Sequence, residues 1–300
     1  MIAVIGGSGA YDLLNKDLVL EKMNAGMETP YGKSVPIFKH NNPDFIFISR
    51  HGTSGYHLNA SSVNYRANIY ALKELGVKQI IAWSGPGAIS ENLKPGDYVL
   101  PDDILDETKT RKSSFYIGTG LGFVRQSPVF CENLKKVLIE SLKGSDISIS
   151  TLDEAKSHTN ENRLVVESTY VCTEGPRLET PAEIKKYSLL GGHLVGMTLV
   201  PEVFLAKELE MCYTAICYIT NYAEGMRPRE FRAGELFEGL LDKTEKEKVE
   251  KAVKGFPDLI KNWVQKISEN KSECECSKLM ERFRKSGRIS ENWHTWLGKD

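Results

Sequence analysis

The sequence lacks an excess of charge of either sign and lacks a long uninterrupted hydrophobic run. Lys and Arg total 39 and Asp and Glu total 40, so the formal net charge is −1. Without a basic field there is no general attraction for nucleic acid or anionic lipid, and an anionic ligand needs a local site. The most apolar long window, 189–206, contains His193, Pro201 and Glu202, which excludes a membrane span. We therefore expect neither a nucleic-acid nor a membrane partner.

Several common targeting and catalytic motifs are also missing. The N-terminal segment MIAVIGGSGAYD has no basic residue before its short apolar run, so it is not a signal peptide, and a cytoplasmic protein is expected. A dinucleotide-binding Gly-x-Gly-x-x-Gly pattern starting at Gly7 needs a glycine where the sequence has Asp12. There is no P-loop, no Gly-x-Ser-x-Gly elbow and no His-Glu-x-x-His motif. No cofactor is expected.

Cysteine is scarce, and its spacing does not match a metal site. Cys274 and Cys276 form a Cys-Glu-Cys pair in a polar stretch, and no two further ligands lie at regular spacing nearby. The pair is interpreted as surface thiols, with a redox pair as the alternative. The other four cysteines lie singly among apolar neighbours and are interpreted as buried thiols. They are Cys131, Cys172, Cys212 and Cys217. No metal site is expected.

Short apolar runs alternate with segments of helical period along the chain. The strongest strand signals are 2–5, 45–49, 79–83 and 213–220, and HNNPD before the second of these is a hairpin turn signal. This alternation predicts an α/β fold with a mostly parallel sheet in a single domain over 1–266. A polar C-terminal extension, 267–300, follows. Its two tryptophans, Trp293 and Trp296, indicate that it docks somewhere.

Three helices are marked by their ends. One is predicted over 61–76, capped by Ser61 or Ser62 and stopped by Gly76. Another begins after Thr180, with proline at its first position and a capping-box glutamate. The last is predicted over 235–266, with a break near Pro257.

Polar residues follow five of the apolar strands at the point where each strand ends. They are Ser8, Arg50 with His51, Ser84 with Gly85, Thr198, and Asn221. Ligands of open α/β sheets bind beyond the carboxyl ends of the strands, so these groups are expected to converge on one site. Glycine-rich turns with inward N–H groups, hydroxyls and an arginine fork suit an anion. Each residue also has a structural alternative, as a turn, a helix cap, a structural histidine or a surface ion pair.

Six segments together resemble the trimeric purine nucleoside phosphorylases, and especially their methylthioadenosine phosphorylase branch. The segments are IAVIGGSG, RHG, SSVNYRANIYALKELG, KPGDYVLPDDILD, TEGPRLETPAE and VGMTLVPEVFLAKE, and the resemblance covers about residues 2–240. It implies a single α/β domain around a mixed, barrel-like central sheet flanked by helices. It also implies phosphorolysis of a purine nucleoside to free purine and a pentose 1-phosphate, by a homo-oligomer that is a trimer or a hexamer.

The resemblance also assigns roles to residues of this chain. Ser8, Arg50, His51, Ser84, Gly85 and Thr198 would hold phosphate, which is a substrate rather than a cofactor. Met197 would pack against the ribose, and Leu178 would line the nucleoside site. Phe123 stands where the branch has a histidine from a neighbouring subunit.

The base pocket departs from the methylthioadenosine branch. That branch has acids at the places of Asn221 and Ala223, and a small polar residue at the place of Glu179. A carboxamide can donate to one atom of a 6-oxopurine and accept from another. Glu179 can accept from N1–H, which adenine lacks; its alternative is to complement a helix dipole. Asn221 and Glu179 are therefore the expected catalytic and base-selecting residues.

These departures favour a 6-oxopurine nucleoside phosphorylase acting on inosine and guanosine. Two enzyme alternatives stay open: a methylthioadenosine phosphorylase, favoured by overall similarity, and a 5′-methylthioinosine phosphorylase, which would share the pocket. A non-catalytic nucleoside binder on the same scaffold is disfavoured, because it would not need the phosphate residues.

Overall fold

Strands and helices alternate along the chain in a computed structural model that describes residues 1–7, 10, 19–53, 57–156, 163–228, 234, 241–270 and 273–298. The strands are β1 Ile2–Gly6, β2 Glu21–Asn24, β3 Glu28–Thr29, β4 Gly32–Lys33, β5 Ile37–Asn41, β6 Asp44–Ser49, β7 Gln79–Ser84, β8 Gly87–Ala88, β9 Tyr98–Val99, β10 Asp103–Glu107, β11 Ser148–Thr151, β12 Arg163–Val166, β13 Thr169–Thr173, β14 Leu194–Gly196, β15 Cys212–Tyr218 and β16 Asn221–Tyr222. The helices are α1 Tyr65–Glu74, α2 Glu132–Ser141, α3 Pro181–Leu189, α4 Glu202–Glu208, α5 Lys243–Glu269 and α6 Glu281–Lys285.

Most of these strands form two mixed sheets. The larger has the order β11-β12-β9-β15-β7-β1-β6-β5-β2, and the smaller has the order β10-β13-β14-β8-β16. At the centre of the larger sheet, β6, β1, β7 and β15 are parallel neighbours. The core strand β1 is buried along its whole length, which explains why its sequence is a continuous apolar run rather than an alternating one. The predicted β5–β6 hairpin forms around Asn42-Pro43.

Strands of the larger sheet repeatedly continue into strands of the smaller one after a gap of two or three residues. This happens from β7 to β8, from β9 to β10, from β12 to β13 and from β15 to β16. The carboxyl ends of the central parallel strands therefore face the starts of strands in the second sheet. A concave space between the two sheets follows from this bend, and Asn221 lies at it as the first residue of β16.

Two helix boundaries differ from those predicted by sequence. Asn64, not Ser61 or Ser62, caps α1, because its side chain accepts from the N–H of Ala67, while Asn59 caps a separate 3₁₀ turn over 60–62. The long helix α5 begins at Lys243, runs through Pro257 and ends at Glu269; residues 235–240 lie outside the described part of the chain.

Pro257 does not break α5 because packing outweighs its cost. An interior proline costs about 3 kcal/mol, whereas each large apolar side chain buried contributes about 1.5–3 kcal/mol. The buried face of α5 carries several, and the indole of Trp263 also donates to the backbone oxygen of Leu134 at 3.1 Å. The buried residues of that face are Ala252, Phe256, Pro257, Leu259, Ile260, Trp263, Val264 and Ile267.

The start of α3 agrees with its sequence signals. Thr180 is the N-cap, Pro181 is the first helical residue, and both hydrogen bonds of the capping box with Glu183 are present. None of the helices in the described part of the chain combines the length and hydrophobicity that crossing a membrane requires.

The C-terminal segment, 273–298, packs onto the domain. Trp296 is buried in a small apolar cluster with Met280 and Phe283. Trp293 packs edge-on against Tyr70 of α1, with ring centroids 5.0 Å apart. Both tryptophans therefore contact the rest of the protein, as the sequence indicated.

Candidate active site

One cavity of about 810 Å³ lies where the two sheets meet. It collects residues that follow β1, β6, β7, β14 and β15, together with the turn that precedes α3. Among the residues named from the sequence, those that line it are His51, Ser84, Gly85, Leu178, Glu179, Met197, Thr198, Asn221 and Ala223. Gly7 lines it as well, and the next residue, Ser8, lies outside the described part of the chain.

Hydroxyl groups cluster on one side of this cavity. The Ser84 hydroxyl lies 3.0 Å from that of Thr198 and 3.2 Å from the phenol oxygen of Tyr170. Thr198 is therefore not a helix cap, since Pro201 occupies the N-cap position of α4. Beside them, a Cβ atom at Gly85 would lie 2.9 Å from Cγ2 of Thr220, so only glycine fits this turn. The cluster offers hydroxyl donors and an open backbone to an oxyanion.

His51 is buried and neutral near pH 7. Burial, aided by the positive charge of Arg50, lowers its pKa from 6.5 to about 4. Its Nδ1 lies 2.7 Å from the backbone oxygen of Leu58, an acceptor, so Nδ1 carries the proton. The imidazole is thereby held in one orientation at the edge of the cavity.

Arg50 does not line the cavity, because a buried carboxylate holds its guanidinium. Nε donates to Oε1 of Glu202 at 2.6 Å, Nη2 donates to Oε2 at 2.9 Å, and Nη1 donates to the backbone oxygen of Trp83 at 2.7 Å. Burial alone would lower the pKa of Arg50, but the Glu202 carboxylate raises it above its ordinary value. These contacts use three of the five N–H donors of the guanidinium. Its Nη1 lies 3.6 Å from the point where a Cβ of Gly7 would be, next to the cavity wall.

Asn221 is oriented by its neighbours on either side. Its Oδ1 accepts from the hydroxyl of Thr220 at 2.6 Å, and its Nδ2 donates to the backbone oxygen of Tyr222 at 2.7 Å. A carboxamide has two donor hydrogens and two acceptor sites, so one of each is left for a ligand. Ala223 lines the cavity two residues on without adding a charge.

Glu179 turns toward β13 instead of toward the start of α3. Its Oε1 accepts from the hydroxyl of Thr173, the last residue of β13. The helix start is satisfied instead by Thr180 and Glu183, so the helix-dipole alternative for Glu179 is not needed. Glu179 is itself half-buried, so its carboxylate is held at the cavity wall. Leu178 beside it is 37% exposed.

Phe123 is the one predicted site residue in the described ranges that lies on the open surface. It is 84% exposed and is not part of the cavity lining in its own chain. The roles proposed from the sequence for it and for the cavity residues stay predictions.

Some residues that position the site without lining the cavity are not predicted from the sequence. In the sequence Glu202 stands out only as a charged residue in an apolar window, yet in the structure it is 1% exposed and pairs with Arg50. Arg111 donates to the backbone oxygens of Met197 at 2.6 Å and Val200 at 2.5 Å, and so supports the loop that carries Thr198. The acid in VPEVF was the available signal for Glu202, whereas nothing near Arg111 in the sequence points to its role.

The sequence pattern of the Phosphorylase superfamily matches residues 1–257. This chain belongs to the Phosphorylase superfamily. The match confirms the resemblance found in the sequence, the nucleoside phosphorylase fold class and the prediction that the chain is an enzyme of the phosphorylase type.

Relatives of this phosphorylase are named for three substrate classes: methylthioinosine, 6-oxopurine nucleosides and methylthioadenosine. The probable S-methyl-5′-thioinosine phosphorylase of Methanothermobacter thermautotrophicus is 40% identical over 245 residues, which is 81% of this chain and 79% of that protein. The 6-oxopurine nucleoside phosphorylase of Pyrococcus furiosus is 38% identical over 252 residues, covering 81% and 88%. Among solved structures, the methylthioadenosine phosphorylase of Schistosoma mansoni is similar with a TM-score of 0.76 and 26% identity, over 95% of this chain and 96% of that one.

Removal of the Glu202 charge is expected to destabilise the protein strongly. In Glu202→Gln, Arg50 would remain charged and buried without its counter-ion, which typically costs about 3–5 kcal/mol of unfolding free energy. Urea unfolding measures the loss. The control is Glu107→Gln, which breaks the exposed pair with Lys186 and should cost less than about 1 kcal/mol. Equal losses in the two variants would contradict this account of Arg50.

Protonation of His51 is expected to make the protein less stable in mild acid. Because the pKa of His51 is about 4 when folded and 6.5 ordinarily, the unfolded state binds the extra proton between these values. Stability attributable to His51 is therefore complete above pH 6.5 and falls by up to about 1.4 kcal/mol per pH unit down to pH 4. The measurement is unfolding free energy against pH for wild type and His51→Gln.

The variant should show a shallower slope in this window, while the matched change at the exposed His57, His57→Gln, should keep the wild-type slope. A wild-type slope in His51→Gln would show that other groups carry the acid sensitivity.

Proposed function

We propose that this enzyme is a purine nucleoside phosphorylase for 6-oxopurine nucleosides, converting inosine or guanosine and phosphate into free base and ribose 1-phosphate. The observation that carries the proposal is the uncharged carboxamide of Asn221 at the cavity wall, with one donor and one acceptor left by its protein contacts. The 6-oxopurine name of the Pyrococcus furiosus relative supports the same substrate class.

The base would be read by Asn221 and Glu179 together. A 6-oxopurine presents O6 as an acceptor, which suits the remaining N–H of Asn221, and N7, which takes on a proton as the base leaves. Its N1–H suits the Glu179 carboxylate. Adenine would bring its N1 lone pair against that carboxylate. A polar group left unpaired in this way can discriminate by as much as about 10⁴–10⁵ where a site is built around the missing hydrogen bond.

Phosphate would bind at the hydroxyl side of the cavity. Ser84, Thr198 and the N–H of Gly85 are grouped there, with His51 alongside. Ser8 would add a hydroxyl beside Gly7. Arg50 would contribute the two N–H donors that Glu202 and Trp83 do not use. Phosphate is itself the nucleophile, so the proposal requires no cofactor and no metal.

In the proposed reaction a phosphate oxygen forms a bond to C1′ as the C1′–N9 bond breaks. The bond electrons pass to the purine, and N7 takes up a proton through solvent as the phosphate group of the sugar phosphate releases one. The sugar becomes oxocarbenium-like, by analogy with glycoside hydrolysis, and the bound phosphate stabilises it before capturing it. Asn221 would stabilise the charge that develops on the purine. Loss of one such donor typically costs about 10²–10³ in rate.

A second candidate is phosphorolysis of 5′-methylthioinosine. The name of the Methanothermobacter relative favours it, and the same base contacts would serve it, since both substrates carry a 6-oxopurine. Only the 5′ group of the ribose separates the two candidates. Methylthioadenosine is opposed by Asn221, Ala223 and Glu179.

The proposed enzyme is a cytoplasmic homo-oligomer, a trimer or a hexamer. Its support is Phe123, an 84% exposed aromatic ring outside its own cavity, at the position expected to reach the site of a neighbouring subunit. In this arrangement Phe123→Ala raises the KM for the nucleoside in an assembly of unchanged mass. Sedimentation equilibrium gives the mass, and a monomer at assay concentration would overturn the arrangement.

Replacement of Asn221 by an acid is expected to reverse the base preference. The wild type should convert inosine and guanosine only with phosphate, and methylthioadenosine poorly. Asn221→Asp should lower kcat/KM for inosine by about 10²–10³, because a donor to the leaving base becomes an acceptor. It should raise the ratio of 5′-methylthioadenosine to 5′-methylthioinosine turnover. Steady-state kinetics on inosine, guanosine, 5′-methylthioinosine and 5′-methylthioadenosine, each with and without phosphate, measure this.

Asn24→Asp, an identical change on the exposed strand β2, is the control and should leave every ratio unchanged. Wild-type turnover of methylthioadenosine equal to that of inosine would refute the proposed base selection. Preference for 5′-methylthioinosine over inosine would establish the second candidate.

A further inference from the structure

Four of the six cysteines meet at one place outside the lining of the cavity. The sulfurs of Cys131, Cys212, Cys274 and Cys276 all lie within 4.8 Å of one another. These residues are separated by up to 145 positions in the sequence, so only the fold brings them together. The other two cysteines, Cys172 and Cys217, lie elsewhere in the core.

Two of the four positions are built into the scaffold. Cys131 directly precedes α2, and its N–H donates to the backbone oxygen of Tyr213 at 2.8 Å. Cys212 is the first residue of β15, and its N–H donates to the backbone oxygen of Lys78 at 2.9 Å. Both are nearly fully buried, with 4% and 6% exposed. The backbone therefore holds this half of the cluster without help from a ligand.

The other two positions come from the C-terminal segment. Cys274 and Cys276 follow α5, and both pack against the apolar cluster that contains the first pair. The Cys274 sulfur lies 3.4 Å from that of Cys212. The segment thus lays its Cys-Glu-Cys turn over the start of β15.

The spacing of the sulfurs fits a tetrahedron around one metal ion. A zinc–sulfur bond of about 2.3 Å places the four sulfurs of a Zn(Cys)₄ site about 3.8 Å apart. This sulfur–sulfur distance lies between the 3.4 Å that separates the sulfurs of Cys212 and Cys274 and the 4.8 Å within which all four sulfurs lie. Four thiolates in a tetrahedron are typical of zinc or iron, since magnesium and calcium prefer oxygen ligands.

A cation beside the cluster suits the negative charge of such a site. The ammonium group of Lys207 in α4 donates to the backbone oxygen of Pro128, three residues before Cys131, at 2.6 Å. Zinc with four thiolates carries a net charge of −2. A nearly buried lysine therefore offsets part of the cost of placing that charge in an apolar cluster.

We propose that Cys131, Cys212, Cys274 and Cys276 form a structural Zn²⁺ site that fastens the C-terminal segment to the domain. Four protein ligands leave no open position, so the site stabilises and does not catalyse. Each zinc–sulfur bond forms as a thiol releases its proton to solvent, with no change of oxidation state. This site does not show in the sequence, because the Cys-Glu-Cys spacing is shorter than the usual two-to-four-residue gap and the other two ligands are remote.

The test is the metal content of the intact wild-type protein, purified without chelator from cells grown with added zinc. Elemental analysis should find one zinc per chain. After exchange, Co²⁺ should give the intense visible bands of a tetrahedral thiolate site. Removing zinc should speed hydrogen exchange of 273–298 more than that of β1.

Cys276→Ala should lose its zinc. Loss of a hydrogen-bond partner of a metal ligand typically lowers metal affinity by about 10–100-fold, and loss of a ligand itself should lower it more. Cys172→Ala, which removes a buried thiol outside the cluster, should keep one zinc per chain. The wild-type metal content and cobalt spectrum decide the question even where Cys276→Ala fails to fold.

Disulfides among the same four sulfurs are the opposing outcome. Thiol titration of the chelated, denatured wild type should find six thiols per chain. Two or four fewer thiols, with no metal in the native protein, would overturn the proposal. Iron in place of zinc would overturn the choice of metal, and a full zinc complement in Cys276→Ala would overturn the choice of ligands. Each of these results is independent of the enzyme's substrate.

Discussion

The ion pair between Arg50 and Glu202 is the interaction on which the geometry of the site depends. It joins the end of β6 to the start of α4, and through the carbonyl of Trp83 it reaches β7. Tyr213 of β15 donates to the same carboxylate at 2.9 Å. Desolvating two charges is costly, and apolar replacements of buried pairs are often neutral or stabilising. The pair is therefore better explained as a device that positions three strand ends than as a source of stability.

This arrangement would also let the proposed phosphate site work in a chain with no basic excess. The guanidinium is neutralised by Glu202, His51 is uncharged, and the remaining groups near them are hydroxyls and backbone N–H donors. The proposed site would hold phosphate by directed hydrogen bonds more than by net charge. This would suit a substrate that must attack a sugar carbon, because a nucleophile bound by strong positive charge would be less reactive.

The proposed base selectivity has a similarly local origin. Asn221 begins β16, which pairs with β8, and its carboxamide is held between the hydroxyl of Thr220 and the carbonyl of Tyr222. An acid at this position would accept but not donate near neutral pH. In the proposed function, a change of this one residue at the bend between two sheets would change which edge of a purine is recognised, while the strands that form the scaffold stay the same.

The sequence by itself determined the four strands with the strongest signals, the start of α3 and the list of polar residues at strand ends, because these depend on local periodicity, capping and turn chemistry. The family resemblance came from the same local segments. The helix start at Asn64 was missed because Ser61, Ser62 and Asn64 are all good N-cap residues, and Asn64 is the one whose side chain accepts from Ala67. The break at Pro257 was wrong because tertiary burial outweighs local preference there.

Only the tertiary structure decided which of those residues share a cavity, that Glu202 holds Arg50, and that four cysteines separated by up to 145 positions become neighbours. The physical reason is the same in each case. Contacts between residues remote in sequence are set by how strands pair and where they bend from one sheet into the next, and no local pattern in the sequence encodes that distance.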